Sequence, residues 1–267
     1  MTGLRATVIT IAMLAAASAR AELPAWMLQG ERLTMEMSWL GITGGTMVLE
    51  AHQPADQPTI RLAMRATSSS FVSRIIAVDD LFETYLDPKK VTTVLSTKKT
   101  REGDHTLDER VEFDTLAGTA RRWKNGRERE PLQTPAPTLD TLGAIYFIRT
   151  LPLAVGKTFS VSVQSGSKVY PMQVKVLERK NVKTAIGRVD VFVVEPTFAD
   201  GGLFGGKGKS VIWVAADAPN IVVRISSELP FGSLTASLTK AERPWQAVLE
   251  SKSGPGGGAK QDGSQTR

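Results

Sequence analysis

Apolar and polar residues alternate at period two through most of this chain, and that pattern leaves little room for anything but extended strands buried on one face. Leu33, Met35, Met37 and Trp39 fall on one side of a segment whose other side carries Thr34, Glu36 and Ser38. Residues 41–45 read as a turn into Met47, Leu49 and Ala51. Ile60, Leu62, Met64 and Ala66 follow, with Arg61 and Arg65 outward. Three successive strands with polar outer faces predict an antiparallel meander with one wetted side. The theme returns in 81–86, in 91–97 and at Leu107, Val111 and Phe113. It continues through Phe159 to Val163, Met172 to Val176, Val189 to Val193, 211–214, 221–225 and Leu234 to Leu238. Asn125-Gly126 marks a tight two-residue hairpin and residues 217–220 a turn. About 12 strands at short, even spacing are expected, as in a sandwich or barrel.

Two stretches break the alternation. Phe71, Val72, Ile75 and Ile76 recur at helical spacing just before Asp79-Asp80. Residues 138–150 have stronger helix signals: Thr138 as a cap, Asp140 in the first turn, and Pro152 beyond the end. Leu139, Leu142, Ala144, Ile145, Tyr146, Phe147 and Ile148 cover nearly the whole circumference of that helix, so it should be enclosed. Arg149 at its C-terminal end suits the dipole and is expected to reach water or a carboxylate. The fold class predicted is all-β and mainly antiparallel, a highly curved sheet or half-open β-barrel wrapped around one buried helix.

The N-terminus places this domain in a compartment. Arg5, an apolar run over residues 6–17, and small residues ending at Ala21 form the three parts of a secretory signal peptide, residues 1–21. The run is shorter than the ~20 residues a membrane span requires. No later segment reaches that length, so no integral span is expected after cleavage. With no cysteine in 267 residues, disulfides, thiol catalysis, thiolate metal sites and a lipid-anchoring cysteine are excluded. The expected location is the bacterial periplasm, as an exported protein and not a lipoprotein. Residues 22–250 read as a single β-rich domain, and the Gly-, Ser- and Lys-rich 251–267 as a disordered tail. Loss of Arg5 and Arg20 lowers the formal net charge from +6 to +4, and the tail holds two more of those charges. The body is therefore only mildly basic, and nucleic acid is not an expected partner.

Gly30-Glu31-Arg32-Leu33, Trp39-Leu40-Gly41-Ile42 with Gly44-Gly45, Phe71-Val72-Ser73 before Asp79-Asp80, the 139–149 stretch followed by Gly156, and Trp213-Val214 before Asp217 carry a likeness. Over roughly residues 28–240 the chain resembles the bacterial exported domain-of-unknown-function family numbered 3108. That resemblance implies a mainly antiparallel β protein of the cell envelope and carries no catalytic residues across. A sheet curled around a helix is also similar in architecture to the periplasmic lipoprotein carriers, an analogy of shape alone.

Few chemistries survive inspection. Gly201 with Gly206-Lys207 has phosphate-loop spacing, but Gly208 replaces the metal-binding hydroxyl and a strand follows instead of a helix. His52 and His105 are the only histidines and lie in polar, turn-like surroundings with no nucleophile elbow. No cofactor or metal is expected. Asp79-Asp80, Asp104 with Asp108, and Glu109 with Glu112 are carboxylate pairs of the kind a glycan hydrolase needs, though Asp79-Asp80 is better explained as ending a short helix and starting a strand. Arg121, Arg122, Lys124, Arg127 and Arg129 around Trp123 are a candidate surface for an anionic partner, the first four foremost, with interleaved Glu128 and Glu130 favouring a plain solvated hairpin. Met35, Met37, Trp39, Met47 and Met64, with Tyr146 and Phe147 of the helix, line either a core or an apolar ligand site. The functional expectation is non-enzymatic binding or scaffolding in the envelope, with a lipid, another amphiphile or an envelope protein as partner. An envelope glycan hydrolase and a surface-only interaction module are the alternatives.

Overall fold

A computed structural model describes residues 25–198, 208–217, 219–229 and 232–242. The residues read from sequence as a signal peptide, 1–21, and as a disordered tail, 251–267, lie outside the described residues, as does the glycine-rich 201–207 stretch. After a short helix, α1 (Ala25–Gln29), come β1 (Glu31–Trp39), β2 (Ile42–His52), β3 (Ile60–Ser68), β4 (Asp79–Asp87) and β5 (Thr92–Glu102). Next are β6 (His105–Asp114), β7 (Thr119–Lys124), β8 (Arg127–Gln133), β9 (Thr138–Asp140) and the helix α2 (Thr141–Ile148). The remainder is β10 (Thr158–Ser165), β11 (Lys168–Thr184), β12 (Gly187–Phe198), β13 (Ser210–Ala215), β14 (Val222–Leu229) and β15 (Gly232–Glu242). All belong to one 15-stranded sheet in the order β8 to β1, then β15 down to β9. Every neighbouring pair is antiparallel except β9 with β10.

The predicted alternation is what the sheet buries. Leu33 and Met35, Met47 and Leu49, Ile60, Leu62 and Met64 are fully or nearly fully covered, and they pack with Val161, Val174, Ile212, Ile225 and Leu238 into one core. The hairpin at Leu40 and Gly41 turns on two residues of positive φ, 50° and 80°, tighter than the expected turn over residues 41–45. Gly44 and Gly45 instead sit within β2, where a Cβ on Gly45 would collide with the Thr67 carbonyl of β3.

The helix starts later than expected. Thr138 belongs to β9, and the cap is Asp140, whose carboxylate accepts from the Leu142 and Gly143 amides at 3.3 and 3.2 Å. Asp offers two acceptor oxygens to a first turn rich in unpaired N–H groups, which a threonine two residues earlier cannot reach. Leu142, Ala144, Ile145, Tyr146 and Ile148 are buried, so the helix is enclosed as its all-round apolarity requires.

The sheet does not close by a strand ladder. Its β9 edge instead meets β5 through hydroxyl groups: Thr92 donates to the Thr138 carbonyl at 2.7 Å and accepts from its amide at 3.3 Å. Thr93 accepts from the Asp140 amide at 3.0 Å and donates to its carboxylate at 2.9 Å. Two threonine side chains thus satisfy backbone groups that a neighbouring strand would otherwise satisfy. Strands β6 to β8 extend past this junction and carry a small separate cluster, Val111, Phe113 and Ala120. The free edge, β8, shows Arg127, Glu128, Arg129, Glu130 and Pro131 to solvent, a composition that discourages pairing with another chain.

Candidate functional site

Strand register divides the predicted site residues between two faces. Thr84 of β4 donates to the buried Asp140 carboxylate at 2.7 Å, which fixes its face as the one turned toward α2. Partner to partner, that face continues from Thr84 to Ser96, Val111, Arg122 and Arg129. One step nearer the other end it runs from Phe82 to Lys98, Glu109, Lys124 and Arg127. On β6 to β8, therefore, Arg122, Lys124, Arg127 and Arg129 stand on the core-side face with a single carboxylate, Glu109, whose oxygen lies 3.8 Å from Lys124. Among the described residues Arg122, Arg127 and Arg129 form no ion pair. Lys98 lies 5.2 Å from the Phe82 ring centre, bordering the apolar core.

Arg121 is placed apart from this group. It points to the opposite face, pairs with Glu128 at 3.0 Å and stacks on Trp123 at 4.8 Å. Of the basic hairpin residues expected to act together, Arg122, Lys124, Arg127 and Arg129 share a face and Arg121 does not. The cause is period two: neighbours in sequence separate, while cross-strand partners meet.

Met35, Met47, Met64 and Tyr146 lie inside the core, and Met37 and Phe147 pack against it from partly exposed positions. Trp39 differs, being half exposed at the end of β1. The interior face is thus filled beside α2 and opens toward the ends of β1, β3 and β5. At that end Trp39, Leu40 and Ile42 of one hairpin, with Phe71, Ile75 and Ile76 of the β3–β4 connection, leave large apolar side chains exposed. The expected short helix there is a single 3-10 turn, Val72–Arg74, with no buried residue.

The carboxylate pairs do not converge. Asp79 pairs with Arg65 at 2.9 Å, while adjacent Asp80, on the other face, accepts from the Arg101 amide at 3.1 Å; burial pushes its carboxyl above the ordinary range. Glu112 faces away from Glu109 and pairs with Arg110 at 2.6 Å. The Asp108 amide is held by the Asn125 side chain across the hairpin base. His52 borders a shallow, open depression of about 380 Å³ with Arg32, Glu50 and Glu242. The carboxylates there are already paired, Glu50 with Arg32 at 2.5 Å and Arg61 at 3.9 Å, and Glu242 with Lys240 at 2.7 Å and Arg32 at 3.9 Å.

Two buried polar side chains, Asp140 and Arg149, anchor α2 through partners that sequence did not identify. Asp140 collects four hydrogen bonds at its N-terminus. At the C-terminal end Arg149 makes a bidentate pair with Glu31 at 2.7 and 2.9 Å, and its Nε donates to the Asn220 carbonyl at 2.8 Å. The carboxylate anticipated for Arg149 is Glu31, 118 positions away in the chain.

A family profile matches residues 34–239, covering β1 to β15 almost entirely. The chain belongs to DUF3108, a family of proteins of unknown function. Among solved structures it is similar to a β-barrel-like protein of the DUF1849 family from Brucella abortus. The identity is 13%, the alignment covers 81% of this chain and 98% of that one, and the TM-score is 0.57. That likeness shows a shared fold and no more. A protein from Bacteroides fragilis, described as exported with a YmcC-like fold, aligns at 11% identity over 80% and 96% of the chains, with a TM-score of 0.32. One from Parabacteroides distasonis, described as a lipoprotein, aligns at 11% over 81% and 96%, with a TM-score of 0.29. No curated protein sequence matches the chain.

Proposed function

We propose that this protein is a non-enzymatic component of the bacterial envelope, periplasmic once its signal segment is removed, that holds an anionic amphiphile on the core-side face of β4 to β8. One observation carries the reading: on β6 to β8 four cations, Arg122, Lys124, Arg127 and Arg129, share that face with one carboxylate, Glu109, while Asp80 of β4 and Glu102 of β5 stand on the same face nearer its open end. Arg122 is partly buried and Lys124, Arg127 and Arg129 face solvent, so the group presents positive charge beside the margin of the apolar core. Phe82, Leu107 and Leu132 are partly exposed beside them, so a chain with an acidic head finds both kinds of contact within one strand width. With α2 packed into the core of an unclosed sheet and these residues at its margin, a shallow surface site is supported rather than a deep cavity.

Fluorescence titration of the purified protein with a dansylated undecanoic acid and its uncharged methyl ester tests this. The acid should bind, more weakly at high salt, and Arg122→Gln with Arg129→Gln should weaken it roughly tenfold, about 1.4 kcal/mol. Equal affinity for acid and ester, or equal affinity in the substituted protein, would overturn the reading.

A further inference from the structure

We propose that the open end of the sheet docks on an anionic bilayer surface through a rim built by the β1–β2 hairpin and the β3–β4 connection. The inference goes beyond the ligand reading and stands without it. Topology brings the two segments together: the Ser69 amide donates to the Gly44 carbonyl at 2.8 Å, and a Val72 methyl lies 3.7 Å from where a Gly44 Cβ would be. The Leu40 amide, bonded to the Ser233 carbonyl at 3.2 Å, ties the hairpin to β15. On this scaffold Leu40 is 61% exposed, Ile42 66%, Phe71 66% and Ile75 82%. Six large apolar side chains gathered at one end are not the scattered surface hydrophobes of an ordinary domain.

Shape and charge select the occupant. These side chains stand on a hairpin tip and a one-turn loop, protruding rather than lining a groove that a helix or strand could fill. Residues 38–45 and 69–78 carry one charged side chain between them, Arg74, and no carboxylate. Apolar tips with Trp39 at the margin and a cation among them suit the boundary between acyl chains and acidic head groups. At the same end the adjoining β5–β6 turn sets Glu102 and Asp104 beside Arg101, and the β7–β8 hairpin beyond it adds Lys124 and Arg127.

Co-sedimentation with vesicles of phosphatidylethanolamine and phosphatidylglycerol, against vesicles of phosphatidylcholine, gives the test. The full mature chain should pellet with the anionic vesicles and several-fold less with the neutral ones. Phe71→Ser with Ile75→Ser should lower partitioning roughly tenfold or more, and Arg74→Glu should weaken binding to the anionic vesicles alone. Both apolar positions face solvent, so circular dichroism should be unchanged; Ile42→Ser provides an independent loss. Wild-type protein that stays in solution overturns docking, as does substituted protein that pellets equally. A wild-type chain that ignores vesicles but self-associates, and loses that on Phe71→Ser, would assign the rim to a second copy and overturn docking as well. The dansylated acid separates the two proposals: the rim variant should bind it as wild type does. Probe binding without vesicle binding refutes docking alone, and vesicle binding without probe binding refutes the ligand site alone.

Discussion

Asp140 caps a helix and joins two parts of a sheet with one carboxylate. Burial pushes its pKa above the ordinary carboxylate value, against the pull of hydrogen bonds from Thr84, Thr93, Gly143 and Leu142. The folded chain then holds this proton more tightly than the unfolded one does. Its contribution is fully present below the unfolded pKa and is lost as pH rises through the raised folded value. Asp140→Asn removes the proton and hence the dependence. Urea unfolding of both proteins from acid to neutral pH should show the wild-type advantage falling across that window, by about 1.4 kcal/mol for each unit of elevation. A wild-type advantage that grows with pH would mean the four donors outweigh the burial. The same residue shows how far the sequence could be read: the helix and its burial were legible from all-round apolarity, whereas the cap was placed at Thr138. Thr138 is a good cap in isolation, and only the parallel pairing of three residues, Thr138–Asp140, with β10 makes it a strand residue.

At the scale of elements, α2 is a strut fastened at both ends. Asp140 ties its start to β4 and β5, and Arg149 ties its end to β1 and to the turn before β14. The guanidinium and the Glu31 carboxylate are 1% and 0% exposed, so removing one partner strands a charge in the core. Arg149→Met should cost about 3–5 kcal/mol in urea unfolding, and adding Glu31→Gln should restore part of it. Strand positions were largely legible, because one-sided burial writes period two directly into the residues. Three features were not. Strand β9 is too short to show a period; the β5–β9 junction uses hydroxyl groups that read as ordinary strand threonines; and the face of Arg129 depends on a register irregularity opposite Ala120 and Arg122. Trp39 misled in the opposite sense, since alternation marks a buried face without saying which end of it stays open, and the helical spacing of Phe71 to Ile76 gave no sign that those residues are exposed.

For the molecule as a whole, packing is uneven. Strands β1 to β4 and β10 to β15 share the large core with α2, while β6 and β7 rely on Val111, Phe113 and Ala120. Amide hydrogen exchange should find β6 to β8 opening roughly tenfold or more faster than β1 to β3. Phe113→Ala should widen that difference while leaving the protection of α2 unchanged. Uniform protection across the sheet would contradict this division. A loosely held flap bearing Arg122, Lys124, Arg127 and Arg129 can adjust its distance from the core without unfolding the rest.

Strand β1 has β2 on one side and β15 on the other, so Leu33 faces both Leu49 and Ala241. The first strand to leave the ribosome therefore keeps one edge bare until nearly the last residues of the body have been synthesised. A chain interrupted before β15 would carry that edge, with Met35 beside it, into a crowded compartment as a template for aggregation. Completion of the C-terminal strand, not of any local hairpin, is the event that makes this fold safe to release.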